Sequence, residues 1–90
     1  MALIERGVTI VNQLGLHARP AAAFVKVAAR YASAIQVRKD TMSVNGKSIM
    51  GMMMLAAEQG SQVVITAEGD DAAAAVDALE ALVRAGFGED

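Results

Sequence analysis

The chain predicts an α+β fold. We expect an open-faced β-sandwich, with a four-stranded antiparallel sheet carrying three helices on one face in the order β-α-β-β-α-β-α. Three observations lead there. The apolar period switches repeatedly between two and about 3.6 residues, so short strands and helices interleave. The strand segments alternate apolar and polar residues instead of running apolar throughout, the pattern of an antiparallel sheet with one solvated face. The 90 residues, 54% hydrophobic and 20% charged, suit one domain over 1–90 with a single modest core.

The elements follow in order. Val8 and Ile10 alternate with Gly7 and Thr9, a half-buried strand broken by Asn12 to Gly15. From Ala18 to Arg30 the period becomes helical: Ala21, Phe24, Val25 and Ala28 share a stripe, and Lys26 and Arg30 fall off it. Ile35 and Val37 mark a second strand, Lys39-Asp40 a two-residue turn, and Met42 and Val44 a third strand ended by Asn45-Gly46. Ser48 then caps a short apolar helix reaching about Leu55, stopped by Gln59-Gly60. Val63, Ile65 and Ala67 form the fourth strand. After Gly69, Asp70 or Asp71 caps a long helix with the stripe Val76, Leu79, Leu82 and Val83, and Gly86 stops it.

Composition removes several classes of function. There is no cysteine, hence no disulfide and no thiolate metal site, which fits a reducing compartment. A net charge of −2 gives no general attraction to nucleic acid or anionic lipid. The longest apolar run, Ile49 to Ala57, is far short of the roughly 20 residues of a membrane span. The start "MALIERG" carries Glu5 and Arg6 where a signal peptide would be apolar. The expectation is a soluble, cytoplasmic protein that neither inserts into membranes nor binds nucleic acid.

The chemistry concentrates in "NQLGLHARPAA", Asn12 to Ala22, which holds the only histidine and the only proline. With a helix beginning after His17, the histidine is the N-cap and Ala18 and Arg19 open the first turn. Pro20 sits where a backbone N–H has no helical partner to lose. The unpaired Ala18 and Arg19 amides and the helix dipole make an anion site. Arg19 adds a guanidinium suited to phosphate. The imidazole is a nucleophile that can be neutral near pH 7, and Gly15 lets the chain turn sharply into the helix. Together these describe a phosphoryl-accepting histidine. On local grounds alone a tolerated surface histidine is the plainer reading. A hydrolase triad is weaker, because the seven Ser and Thr positions single out no nucleophile and no orienting acid stands out. One histidine without cysteine does not make a metal site.

The segments "LGLHARPAAAFVKVA" and "VNGKSIMGMMMLAAEQGSQVVITAEGDD" together resemble the histidine-containing phosphocarrier (HPr) family of the bacterial phosphoenolpyruvate-dependent phosphotransferase system, and the resemblance extends over essentially the whole chain. It implies that His17 takes a phosphoryl group on a ring nitrogen, Nδ1 in the family. The donor would be phosphorylated enzyme I, and the acceptors enzyme IIA proteins or domains. Arg19, the Ala18 amide and Asn12 would lie about the phosphate, with Gly15 and Pro20 shaping the helix start. The protein would be a covalent carrier rather than an enzyme, working as a monomer without cofactor or metal. Ala18 stands where other members carry threonine or serine, which removes one hydroxyl donor but leaves the backbone donors.

The run "NGKSIMGMMML" has two readings. Ser48 caps the helix and most of the methionines fill the core; yet a short surface helix cannot bury every side, so part of the run stays exposed as an apolar patch. Flexible, polarizable methionines suit a surface that accepts several partners. By resemblance, Ile49, Met50 and then Met53 would dock partner proteins. Ser48 would be the regulatory serine modified by an HPr kinase/phosphorylase, with a transcriptional regulator as a further partner. Phosphate at Ser48 would add about −1.5 to −2 charges to the docking surface. The tail "RAGFGED" reads as a helix stop with an acidic end, similar to the nitrogen-related paralogue (NPr). The alternative to a sugar phosphocarrier is therefore an NPr-like protein, or a regulatory binding module dependent on Ser48.

Overall fold

The computed structural model of the chain describes residues 2–89. The elements run β1 (Ala2–Thr9), α1 (Ala18–Ala28), β2 (Ala34–Lys39), β3 (Met42–Asn45), α2 (Ile49–Met54), β4 (Gln62–Gly69) and α3 (Ala72–Arg84), then a 3-10 turn at Gly86–Gly88. The strands form one sheet in the order β1-β4-β2-β3, and every pairing is antiparallel. Register places Val8 opposite Val63 and Val37 opposite Ile65. The apolar residues of neighbouring strands therefore share one face.

That face forms the core with the helices. Val8, Ile35, Val37, Val44, Val63, Ile65 and Ala67 are buried beneath Ala21, Phe24 and Ala28 of α1, Met52 of α2, and Ala75, Val76, Leu79 and Val83 of α3. Val25 and Leu82 flank the core partly buried, because a helix stripe broader than its contact leaves its margins at the rim. The other sheet face is wet: Arg38 pairs with Glu5 at 3.9 Å, and the Ser43 hydroxyl donates to Gln36 at 3.2 Å. On the helix side, Arg6 of β1 pairs with Asp77 and Glu80 of α3. The Glu80 hydrogen bond is the main cause of its raised pKa.

Several boundaries differ from the sequence expectation. β1 begins at Ala2: its first residues lack clean alternation, but each pairs with β4, and ladder hydrogen bonds extend a strand past its apolar pattern. α1 ends at Ala28, where the Arg30 N–H turns to Val27 C=O and closes the helix in a tighter turn. The β2–β3 turn is Asp40-Thr41 rather than Lys39-Asp40. Lys39 is still paired with Met42, and Asp40 takes the left-handed conformation at φ 54°, which Asp tolerates.

Asp71 precedes α3 but does not cap it. Its carboxylate instead accepts the N–H groups of Ala32 (2.8 Å) and Ser33 (2.9 Å) and the Ser33 hydroxyl. It thereby clamps the α1–β2 loop to the start of α3. These bonds, the Ser33 hydroxyl first, hold its carboxyl below the usual carboxylate range.

Most methionines of α2 do not fill the core, contrary to expectation. Met52 is buried, whereas Met50 is 72% exposed and Met53 and Met54 are also exposed. A six-residue helix lying on a sheet has one inward position per turn, and Met52 takes it.

Candidate functional site

The approach to α1 is built by a reciprocal pair of hydrogen bonds. Gly15 N–H donates to Asn12 C=O at 3.2 Å, and the Asn12 side-chain Nδ2 donates to Gly15 C=O at 2.8 Å. Leu16 N–H then donates to Ala57 C=O at 2.8 Å, tying the loop to the segment just after α2. Gly15 sits at φ 67°, and a Cβ there would stand 2.4 Å from the Ala57 oxygen. Only glycine supplies both the left-handed turn and the close approach.

His17 follows as the N-cap of α1, in extended backbone, with its C=O accepting from Ala21 N–H at 3.0 Å. Its side chain makes no cap bond. Pro20 is buried in the first turn and has no N–H to satisfy. The Ala18 and Arg19 amides have no hydrogen-bond partner among the described residues. Arg19 is exposed, and its guanidinium makes no ion pair among the described residues. Two open amides, the positive end of an 11-residue helix and a free guanidinium thus lie within three residues of the ring.

The side-chain partner of His17 was not foreseen in the sequence. Glu89 lies 3.2 Å from His17 Nε2 through either carboxylate oxygen, and Asn12 Nδ2 donates to its Oε1 at 3.0 Å. What brings Glu89 there is a left-handed hook: Gly86, Phe87 and Gly88 have φ values of 65°, 59° and 78°. Phe87 lacks the freedom of glycine, and the left-handed region costs it roughly 1–2 kcal/mol. Burial of its ring offsets that by a comparable amount, about 1.5–3 kcal/mol. The spacing Gly-Phe-Gly just past a helix is the signal that could have located the hook; read as a helix stop with an acidic tail, it shows no destination.

Asn12, expected beside the phosphate, bonds the Glu89 carboxylate that faces His17. It is buried, with its Nδ2 taken up by Gly15 and Glu89. It braces the loop and the carboxylate, while its Oδ1 stays buried without a partner among the described residues. Arg19 and Glu89 line one surface depression with Gln13, Leu14, Phe87 and Gly88.

The second motif lies elsewhere. Ser48 is the N-cap of α2 in extended backbone, and its Oγ accepts from Gly51 N–H at 3.0 Å. The helix it opens is about 9 Å long at 1.5 Å per residue. The His17 loop is joined to the far end of this helix, through Ala57. Ile49, Met50, Met53 and Met54 leave an exposed apolar surface along it, and Leu14 adds another exposed apolar side chain beside Arg19. Among the described residues no helix is long and apolar enough to cross a membrane.

Fold and site define a small α+β protein organised around one histidine at an unclosed helix start. Residues 4–85 match the family model described as the PTS HPr component phosphorylation site. The phosphocarrier protein HPr of Treponema pallidum is 43% identical over 88 residues, covering 98% of this chain and all of the relative. The HPr-like protein Crh of Halalkalibacterium halodurans is 44% identical over 82 residues, 91% of this chain and 98% of the relative. The crystal structure of HPr-C-His from Thermoanaerobacter tengcongensis superposes with a TM-score of 0.93 at 49% identity, covering 97% of this chain and 98% of that one. The chain belongs to the HPr family of phosphocarrier proteins of the phosphotransferase system.

Proposed function

We propose that this chain carries phosphoryl groups on His17, taking them from phosphorylated enzyme I and passing them to enzyme IIA proteins or domains for sugar uptake, in the cytoplasm. The observation that carries the reading is the unclosed start of α1: a histidine N-cap whose side chain leaves the Ala18 and Arg19 amides open, beside a guanidinium with no anionic partner among the described residues. Phosphoryl transfer needs little covalent help from the protein. It needs alignment, and cationic and N–H donors for the charge spread over the equatorial oxygens. The open amides and Arg19 supply those donors, and the Asn12–Gly15 turn fixes where the ring stands. The exposed Ile49, Met50 and Met53 of α2 supply apolar docking area, and docking several partners in turn through one face makes a monomer the simplest form.

The test is incubation with enzyme I and labelled phosphoenolpyruvate. An acid-labile phosphate is expected on the wild type and absent in His17→Ala. Arg19→Ala should retain the label but acquire it more slowly. A wild type that takes no label refutes the carrier role.

Similarity to Crh, described in its solved structure as the Bacillus subtilis catabolite repression HPr, favours a second reading, regulation through Ser48. Its Oγ accepts one hydrogen bond and remains partly exposed, so its hydroxyl is open to a kinase. HPr kinase/phosphorylase and ATP should then leave an acid-stable phosphate that Ser48→Ala lacks, and a transcriptional regulator would be the reader. Without that label Ser48 is a cap only.

A further inference from the structure

The His17 ring is held by one nitrogen only. Nε2 faces the Glu89 carboxylate at 3.2 Å, whereas Nδ1 has no hydrogen-bond partner among the described residues. A carboxylate at pH 7 only accepts hydrogen bonds. A neutral imidazole facing it therefore carries its proton on Nε2 and presents the Nδ1 lone pair outward. Glu89 is itself fixed: Asn12, buried and bonded to Gly15, donates to its Oε1, and the Gly86–Gly88 hook anchored by buried Phe87 brings the chain back. The Glu89 N–H closes the hook on Gly86 C=O at 2.9 Å. Its side chain is 18% exposed, so the contact is partly sheltered from water.

We propose that Glu89 is a positioning residue for phosphoryl transfer: it sets the His17 tautomer so that Nδ1 is the nucleophile, and it balances the positive charge the ring acquires. This rests on the carrier role proposed above. In the step, the Nδ1 lone pair forms the new P–N bond. The P–N bond of the donor phosphohistidine breaks, and its electron pair returns to the donor ring. No proton leaves His17. The Nε2–H stays directed at Glu89 while the ring becomes an N-phosphorylated imidazolium, and the adjacent carboxylate stabilises that cation as an orienting acid does in a triad. The return transfer to an acceptor is the same step reversed, so Glu89 assists both. Arg19 and the helix amides act on the phosphoryl oxygens, whereas Glu89 acts on the ring.

Ring 15N spectra of the unphosphorylated protein, labelled at histidine and recorded at pH 8, read the tautomer without any transfer reaction. The wild type should show a protonated Nε2 and an unprotonated Nδ1. Glu89→Ala should move both signals toward a tautomeric average and slow labelling by phosphorylated enzyme I roughly 10-fold, the lower end of what losing such a supporting partner costs, with the KM for enzyme I unchanged. Glu89→Gln keeps an acceptor oxygen but not the charge, so it should restore the tautomer while transfer stays slow. Unchanged ring signals in Glu89→Ala overturn the proposal, even if the rate falls. A changed KM with unchanged kcat overturns it too, because it assigns Glu89 to docking. If the wild type takes no phosphate at all, the carrier role fails, and the ring spectra still decide whether Glu89 sets the tautomer.

Discussion

His17 and Ser48 occupy the same place in two helices and use it in opposite ways. Both are N-caps in extended backbone. Ser48 turns its hydroxyl onto Gly51 N–H and closes its own helix. His17 turns its ring away, onto Glu89, and leaves its helix open. A closed start is worth about 1 kcal/mol; an open one forgoes that and keeps N–H groups available for an anion. One cap side chain closes its helix and the other leaves its helix open, and the difference lies in where the side chain finds its partner.

The sharpest way to break the contrast is His17→Ser, which makes the first cap like the second. Phosphoryl labelling should vanish entirely. Stability should change little or rise by up to about 1 kcal/mol as the hydroxyl closes the α1 start, read by urea unfolding. A large loss of stability would show that the His17–Glu89 contact is structural first.

Next in size is Gly15→Ala. The left-handed φ and the Cβ placed 2.4 Å from the Ala57 oxygen force the loop to move, costing roughly 2–4 kcal/mol. Labelling of the folded fraction should fall as well, because the ring is displaced. Equal stability and rate would mean that the loop does not define where the ring stands.

Ser48→Ala should cost about 1 kcal/mol in urea unfolding and leave His17 labelling by enzyme I close to wild type, since Ser48 opens α2 at the end away from the His17 loop. A matching drop in labelling would show that the two helix starts are coupled.

The smallest effect belongs to Asp71, a third cap position whose side chain also turns outward, here for structure alone. Its carboxyl is held below the usual 3.8, chiefly by the Ser33 hydroxyl and the Ala32 amide. A carboxyl depressed in the folded state adds stability that is complete above its unfolded value and disappears as pH falls through the folded one. Thermal unfolding should therefore show a constant deficit for Asp71→Asn between pH 6 and 8. The deficit should shrink once the pH drops under 3.8 and vanish at lower pH; a deficit that persists unchanged into acid would place the clamp in the backbone rather than the charge.

Much of this was legible along the chain. Alternation in Val63-Ile65-Ala67, the Phe24–Ala28 stripe and the Ser48 cap each depend on neighbours within a turn or a strand, so the residues themselves carry the signal. His17, Arg19 and Pro20 were visible for the same reason, lying within four residues at one helix start. Where the reading went astray, the deciding partner was distant. Asp71 looked like a cap until the Ala32–Ser33 loop, far back in sequence, claimed its carboxylate. The α2 methionines looked like core until the sheet left one inward position.

The sequence by itself determined the period of each element and the order of strands and helices, because local sterics and burial set those, and its resemblance to the HPr family pointed to His17. Tertiary structure alone decided which nitrogen of His17 is held. Glu89 reaches the ring from 72 residues away, along a left-handed hook in which Phe87 is buried. Long-range packing of that kind leaves no periodic trace in the chain.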